Sequence, residues 1–138
     1  MIVTKELHLE SKGDCDIIDI TPQVEQYVAQ AKLSSGTVTV FVSGSTAGIT
    51  TMEYEPGLIA DFKALWERIV PQGLGYEHDR RWDDGNGYSH VRASLLGASI
   101  CVPFSDKKLM LGTWQQIVLV DFDNRPRTRE VIVQIAGE

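Results

Sequence analysis

Between residues 3 and 9 apolar side chains alternate with mostly polar ones, a period of two that is typical of a half-buried β-strand. The polar face of this strand carries His8, which we interpret as an ordinary surface histidine. A turn at Gly13 and Asp14 leads to a second predicted strand over residues 15–20. The chain is therefore expected to begin with two strands joined by a turn.

Two later segments keep the three- and four-residue spacing of an amphipathic helix. Thr21 as N-cap and Pro22 at the first helical position predict a helix that ends near residues 34–36. A second helix is predicted to begin at Pro56, and Pro71 ends it.

Six other segments are rich in β-branched or apolar residues and are predicted to be strands. They span residues 37–42, 49–54, 91–96, 99–104, 109–122 and 130–135. The segment 109–122 exceeds a typical strand, so we expect a bend near Gly112. It is also apolar on both faces, so its sheet must be covered twice, by helices on one side and by a second sheet or a partner subunit on the other.

The resulting order, β-β-α-β-β-α-loop-β-β-β-β, predicts an α+β protein. We expect a largely antiparallel β-sheet or sandwich with two helices packed on it. The 138 residues fit a single domain, 1–138. At this length folding buries roughly 70% of the surface of the unfolded chain, so the fold needs neither a disulfide nor a metal. Cys15 and Cys101 are interpreted as free thiols, with a disulfide between them as the alternative.

Charge and hydropathy narrow the classes of partner. Thirteen basic and nineteen acidic side chains give a formal net charge of −6, which argues against nucleic-acid binding. No apolar stretch is long enough for a signal peptide or a transmembrane helix, so no membrane partner is expected. These features favour a cytoplasmic protein.

The most distinctive segment is a polar stretch over residues 72–89, predicted to be a loop. Connections of this length are usually functional or disordered. With the next residue it holds His78, Asp83, Asp84, Asn86 and His90. Imidazole and carboxylate groups suit zinc or another divalent ion, with a position left open for water or substrate. The alternative is a solvated acidic loop with two surface histidines, because a separation of twelve residues is not a diagnostic metal motif.

Acidic residues also precede the second helix. Glu53 and Glu55 would share one face of a strand, and one of them near the loop would be a candidate general base. The alternative is an exposed strand face followed by a helix N-terminus, where the helix dipole favours a glutamate.

Two further motifs have the chemistry to hold an anion. The Gly44-Ser45-Thr46 turn is small and hydroxylated, and its backbone N–H groups could cradle an anionic oxygen, although an ordinary hairpin turn has the same composition. Arg127 and Arg129 would point the same way in a strand and could grip a phosphate in a fork. Exposed charges at a sheet edge would give the same pattern.

Four motifs together resemble one family, YjbQ, an uncharacterised protein family, over nearly the whole chain. The motifs are Tyr-Glu-His at 76–78 with Asp-Asp-Gly-Asn at 83–86, Ser-His-Val-Arg-Ala-Ser-Leu-Leu-Gly at 89–97, Leu-Met-Leu-Gly-Thr-Trp-Gln-Gln-Ile at 109–117, and Asp-Phe-Asp-Asn-Arg-Pro-Arg-Thr-Arg at 121–129.

The resemblance implies a compact α+β subunit in a homotrimer, with a polar pocket near the subunit boundary and a divalent metal ion, Zn or Mg. It also implies thiamine phosphate synthase activity, which joins a pyrimidine pyrophosphate to a thiazole phosphate as pyrophosphate leaves. Carried over to this chain, the metal residues are His78, Asp84 and His90, and the catalytic residues are Glu53, Asp83 and His90. Residues expected to bind the small phosphorylated substrate are Asn86, Ser89, Trp114, Gln115, Arg127 and Arg129.

One motif departs from the family pattern. Many relatives carry a His-Thr-Thr turn where this chain has Gly44-Ser45-Thr46. If that histidine is a ligand or an acid in those relatives, this chain has lost it. Two other functions are therefore kept beside the transferase: a non-catalytic trimer that binds a metal or small molecule, and a metal-assisted hydrolase of another phosphorylated metabolite.

Overall fold

Eight strands and four helices make up the fold in the computed structural model, which describes residues 1–138. They follow in the order β1 Ile2–Ser11, β2 Asp16–Asp19, α1 Thr21–Gln30, β3 Gly36–Val42, β4 Ala47–Met52, α2 Pro56–Ile69, α3 Glu77–Trp82, α4 Gly87–Leu96, β5 Ser99–Ser105, β6 Lys108–Leu109, β7 Gln116–Asp121 and β8 Arg127–Gly137. Every strand pair is antiparallel. One sheet has five strands in the order β1-β8-β3-β5-β6, and the other has three in the order β2-β7-β4.

The two sheets face each other across the main apolar core, and β7 shows how the layers are arranged. Its residues Ile117 and Leu119 join the cluster between the sheets. The alternate residues Val118 and Val120 pack on the opposite side against Trp66 of α2 and residues of α4. The sequence predicted that either a second sheet or a partner subunit covers the second face of β7, and in the structure the five-stranded sheet covers it. The α+β fold with antiparallel sheets is confirmed.

The predicted loop over 72–89 and the strand over 91–96 are wrong, because the chain forms α3 and α4 there, giving four helices instead of two. The buried face of α4 carries Ser89 and Arg92 beside Tyr88 and Ala93, so its helical spacing is hidden by polar residues. Burial of Arg92 is tolerated because its Nε donates to the carbonyl of Val70 at 2.9 Å and its guanidinium pairs with a glutamate of α2.

Several element boundaries also differ from the predictions, and α1 ends at Gln30 rather than near residues 34–36. The long strand over 109–122 is divided into β6 and β7, and the expected bend near Gly112 is closed by Gln115, whose Oε1 accepts from the Gly112 N–H. Thr21 does not cap α1, because Ile20 occupies that position. The Thr21 hydroxyl instead accepts a hydrogen bond from the N–H of Ile117 at 2.7 Å, which attaches α1 to β7.

Both cysteines are free: Cys15 is buried and Cys101 is exposed. Burial raises the pKa of the Cys15 thiol to about 11, so this thiol is protonated at neutral pH. None of the four helices combines the length and the apolar composition needed to cross a membrane.

Candidate functional site

Helices α3 and α4 bring the two histidines of the 78–90 segment together. The imidazole rings of His78 and His90 lie with their centroids 4.3 Å apart and are tilted by 37°. The Nδ1 atom of His78 is 3.5 Å from Oδ1 of Asp84 and 3.9 Å from Oδ1 of Asp79. That nitrogen is enclosed and has no hydrogen-bond partner. We refer to these four residues as the histidine cluster.

Backbone contacts fix both carboxylates of the histidine cluster. Oδ1 of Asp79 accepts from the N–H of Gly87 at 2.8 Å, and Oδ1 of Asp84 accepts from the N–H of Asn86 at 3.1 Å. Gly87 is required at the start of α4, since a Cβ there would lie 2.6 Å from Cβ of Tyr76. The carboxylates are therefore held in place by the connection between α3 and α4.

The donor set of the histidine cluster fits a divalent cation. One ligand atom from each of His78, Asp79 and Asp84 lies within 4.8 Å of the others. Imidazole nitrogen with carboxylate oxygen suits zinc and other borderline divalent ions. The unpartnered Nδ1 of His78 is the strongest sign of fit, because buried polar atoms in native proteins nearly always have a partner. Burial, and next the neighbouring His78, lower the pKa of His90 below 6.5 and favour its neutral form.

A second group of charges lies where β7 and β8 meet, and we call Asp121, Asp123, Arg127 and Arg129 the arginine cluster. Arg129 donates to both oxygens of Asp121, from Nε at 2.7 Å and from Nη2 at 2.8 Å, and both side chains are buried. Arg127 forms an ion pair with Asp123, with Nε 3.0 Å from Oδ2. Both guanidinium groups that the sequence assigned to a phosphate are therefore already paired with carboxylates, although Nη1 of Arg129 donates to no protein group. The arginines are also not free exposed charges, because Arg129 is buried and Arg127 is half-buried, and each is paired with an aspartate.

Asp123 remains ionised although it is enclosed. Burial alone would raise its pKa, but hydrogen bonds from Thr46 and Asn86 and the nearby Arg127 guanidinium outweigh burial. The pKa of Asp123 is therefore held below its usual value of 3.8. The Thr46 hydroxyl donates to Oδ2 of Asp123 at 2.8 Å.

Asn86 connects the two clusters. Its Nδ2 donates to Oδ2 of Asp123 at 3.2 Å, and its Oδ1 accepts from the N–H of Asn124 and from the hydroxyl of Ser89. Asn86 and Ser89 are both buried, and their polar atoms are used inside the protein. The structure thus places these two predicted substrate-binding residues beneath the site rather than on its surface.

An open pocket of about 340 Å³ lies between α4 and the turn that joins β3 to β4. His90 and Ser94 line it from the helix, and Gly44 and Ser45 line it from the turn. His90 therefore belongs both to the histidine cluster and to a cavity large enough for a small molecule.

Of the predicted site residues only His90 lines the pocket, and four of the others also lie outside both clusters. Glu53 follows the end of β4, and Gln115 bonds to Thr51 near that same end, next to the exposed Trp114. Ala47, at the start of β4, lines the pocket, so the strand separates these groups by roughly 15–20 Å. The fourth residue, Asp83, is exposed and ends α3 in a left-handed conformation.

Glu55 takes a structural role. Its carboxylate accepts from the N–H groups of Gly57 and Leu58, both at 2.8 Å, and caps α2. These two hydrogen bonds hold its pKa below 4.5. Of the two sequence interpretations, the helix-terminus one describes this residue.

Sequence reasoning did not select Asp79 or the two aspartates of β7 and its end, Asp121 and Asp123. Asp79 could have been identified as a site residue from its position next to His78 in the same polar segment. Asp121 and Asp123 follow an apolar run and precede Arg127 and Arg129, a spacing that suggests charge pairing between adjacent strands.

Comparison with known proteins finds a similar fold and a related sequence over nearly the whole chain. A solved structure from Sulfolobus solfataricus, described as a YbjQ-like protein of unknown function, superposes with a TM-score of 0.89 at 31% identity and covers 100% of both chains. A solved YjbQ/UPF0047 structure from Clostridium acetobutylicum gives a TM-score of 0.88 at 35% identity, covering 96% of this chain and 99% of that one.

Curated sequences give the same result. A UPF0047 protein from Archaeoglobus fulgidus is 44% identical over 129 residues, covering 94% of this chain and 98% of its own length. The UPF0047 protein YugU from Bacillus subtilis is 33% identical, covering 96% and 98%. The sequence model described as "UPF0047 protein YjbQ-like" matches residues 5–138. The chain therefore belongs to the YjbQ family.

Proposed function

We propose that this protein is a metal-dependent enzyme acting on a small phosphorylated substrate, with His78, Asp84 and His90 of the histidine cluster, joined by Asp79, holding a divalent cation. One observation carries the proposal. The Nδ1 atom of His78 is enclosed, lacks a hydrogen-bond partner and faces two carboxylate oxygens within 3.9 Å. No arginine or lysine neutralises these carboxylates.

A bound divalent cation would act as a Lewis acid that neutralises charge on a phosphoryl or pyrophosphoryl group. The residues of the chain supply the rest. His90 lines the pocket, and its lowered pKa favours the neutral imidazole that a cation requires of a histidine ligand. Asn86 holds the turn between Asp84 and α4 against Asp123 and so orients the cluster.

In its most specific form the proposal is a thiamine phosphate synthase-type transferase, which joins a pyrimidine pyrophosphate to a thiazole phosphate. The arginine cluster supports the requirement for a cation, since its guanidinium groups are already paired with Asp121 and Asp123. Departure of pyrophosphate needs positive charge.

Assembly as a homotrimer is part of this proposal. The outer face of α4 exposes Val91 and Leu95 one turn apart, and the indole of Trp114 is 71% exposed. Exposed apolar groups of this kind are typical of surfaces that contact a partner. In an oligomer, Glu53, Trp114 and Gln115 of one subunit would be free to reach the pocket of another. Light scattering after size-exclusion chromatography tests the expected mass of three chains.

The test uses protein purified without a histidine tag and two matched variants, His78→Ala and His8→Ala. We expect zinc or another divalent ion to bind at one site per chain, to be lost in His78→Ala, and to be retained in His8→Ala. His8 is a suitable control because it is exposed and lies beside Glu6 and Glu130, the other group of potential ligands. Equal metal loss in both variants, or metal binding unaffected by His78→Ala, would contradict the proposal.

The reaction is tested separately with the pyrimidine pyrophosphate and the thiazole phosphate. Thiamine phosphate formation that is abolished in His90→Ala, with oligomer mass unchanged, supports the transferase. Release of phosphate or pyrophosphate without the thiazole acceptor supports the hydrolase instead. Saturable binding without turnover supports a binding protein.

A further inference from the structure

The turn between β3 and β4 leaves successive backbone donors unused. The N–H groups of Gly44, Ser45 and Thr46 donate to no protein group, whereas the carbonyl and the hydroxyl of Thr46 are both hydrogen-bonded. The turn is held in place by a bond from the N–H of Phe122 to the Thr46 carbonyl at 2.9 Å. Successive unpaired N–H groups in a turn form a concave site of partial positive charge that suits an anion.

Arg129 brings an unpaired guanidinium nitrogen to the same turn. Its Nε and Nη2 atoms are bonded to Asp121 and Thr46, but Nη1 donates to no protein group. The side chain is only 8% exposed, so its orientation is fixed. Nη1 therefore keeps free N–H donors beside Gly44.

The absence of a side chain at Gly44 leaves space beside Nη1 of Arg129. A Cβ built on Gly44 would lie 2.7 Å from Nη1 of Arg129 and would occupy the space in front of it. Gly44 does not adopt a positive φ, so the backbone has no conformational need for glycine here. The absence of a side chain at this position therefore affects access to Nη1 rather than the shape of the turn.

We propose that the N–H groups of Gly44, Ser45 and Thr46, with Nη1 of Arg129, form a binding subsite for a phosphoryl group at the β3–β4 turn, where Gly44 and Ser45 line the pocket shared with His90. The inference rests on the proposed function only for the identity of the rest of the ligand. The subsite lies on the β3–β4 turn, and the proposed cation lies between α3 and α4. A phosphorylated molecule bound in the pocket would thus be held from two sides.

The donors favour a phosphoryl group over a carboxylate. The three N–H groups, Nη1 and the exposed Ser45 hydroxyl are five donors, and a carboxylate offers only about four lone-pair sites on two oxygens. A phosphate monoester presents three strong acceptor oxygens. None of the residues that line the pocket is acidic, and the two carboxylates nearest to Arg129, those of Asp121 and Asp123, are each paired with a guanidinium group.

The experiment titrates metal-free protein with inorganic phosphate and, in parallel, with acetate, by calorimetry and by backbone amide NMR. Gly44→Ala is the main variant and Gly73→Ala is its matched control, since a Cβ at Gly73 meets nothing within 4 Å. Ser45→Ala, which removes only an exposed hydroxyl without a partner, guards against a folding defect in Gly44→Ala. Thermal unfolding is measured for all variants.

We expect the wild type and Gly73→Ala to bind phosphate with shifts at residues 44–46, and Gly44→Ala to bind it at least about tenfold more weakly, because a charge-assisted hydrogen bond is lost. Ser45→Ala should weaken binding by a few-fold. Equal affinity in Gly44→Ala and the wild type, no phosphate binding by the wild type, or equal binding of acetate would overturn the inference. If His78→Ala binds phosphate but no metal, the subsite hypothesis is supported independently of the metal site. If the wild type binds phosphate but no metal, the subsite hypothesis stands and the proposed metal-dependent enzyme is contradicted.

Discussion

The arginine cluster and the histidine cluster are neighbours linked by Asn86, yet their charges are balanced in different ways. In the arginine cluster two carboxylates face two guanidinium groups, and the Asp121–Arg129 pair is buried with bidentate geometry. In the histidine cluster two carboxylates face imidazole rings, and the nearest nitrogen has no hydrogen-bond partner. The chain provides its own permanent cations for the first cluster and not for the second.

This difference separates a structural role from a binding role. A buried carboxylate that is fully paired and hydrogen-bonded stabilises the fold only while its partner is present. In the proposed function, the carboxylates of the histidine cluster, which backbone N–H groups fix and no lysine or arginine pairs, would receive a cation from solution. The two clusters should therefore respond oppositely to mutation: one should lose stability, and the other should lose ligand.

The largest effect is expected from Arg129→Ala. It leaves Asp121, which is 0% exposed, as an unpaired buried charge, and we expect a loss of about 3–5 kcal/mol in the free energy of unfolding. Urea denaturation followed by circular dichroism measures it. Arg80→Ala is the control, since Arg80 pairs with Glu77 on the exposed surface and should cost less than about 1 kcal/mol. Similar losses in the two variants would remove the distinction between the clusters.

A smaller effect on stability but a clear effect on metal affinity is expected from Asp84→Asn. Even groups that only orient a metal ligand contribute about 10- to 100-fold, so loss of a ligand should weaken zinc binding at least about tenfold. Asp83→Asn is the matched control, because Asp83 is adjacent, exposed and in a left-handed conformation that asparagine also adopts. Competition with a chromophoric chelator measures both affinities. A weaker effect in Asp84→Asn than in Asp83→Asn would contradict the assignment.

The third prediction concerns acid sensitivity. The folded-state pKa of Asp123 is below its usual value of 3.8, so the unfolded chain takes up the proton first as the pH falls. The contribution of ionised Asp123 to the free energy of unfolding is therefore fully present above pH 3.8 and is lost as the pH falls through the folded-state pKa. In Asp123→Asn this part of the pH dependence should be absent, so the unfolding free energies of variant and wild type should converge at low pH. Parallel curves would show that Asp123 is not the responsible group.

The smallest effect is expected near neutral pH. Burial, and then the neighbouring His78, lower the pKa of His90 below 6.5, so the folded protein binds this proton less readily than the unfolded chain. The contribution of neutral His90 to the free energy of unfolding should therefore be fully present above pH 6.5 and should decrease as the pH falls towards the folded-state pKa. His90→Asn should have a flatter profile in equilibrium urea unfolding between pH 7.5 and pH 5.5. An unchanged slope in that variant would be evidence against a neutral, partly buried His90.

Most strands of the two sheets could be predicted from the sequence, because the pattern of apolar residues along a strand indicates which of its faces are buried. Both faces of β7 are apolar, and this pattern predicted the two covers that the structure has. The region that carries the site was predicted poorly, because α4 buries Ser89 and Arg92, whose polarity is matched by partners distant in sequence. The approach of His78 to His90 depends on the left-handed conformation of Asp83, which the sequence permits without requiring it.

The histidine cluster and the arginine cluster also belong to parts of the fold with very different exchange behaviour. Helix α3 contains no buried residue, whereas β8 pairs with β1 over residues 127–136 and with β3 over residues 131–137. Amide protons of α3 should therefore exchange through local opening, and those of β8 only when the whole domain unfolds. A cation at His78 would slow exchange in α3 while leaving β8 unchanged, so its arrival can be followed residue by residue without any assay of turnover.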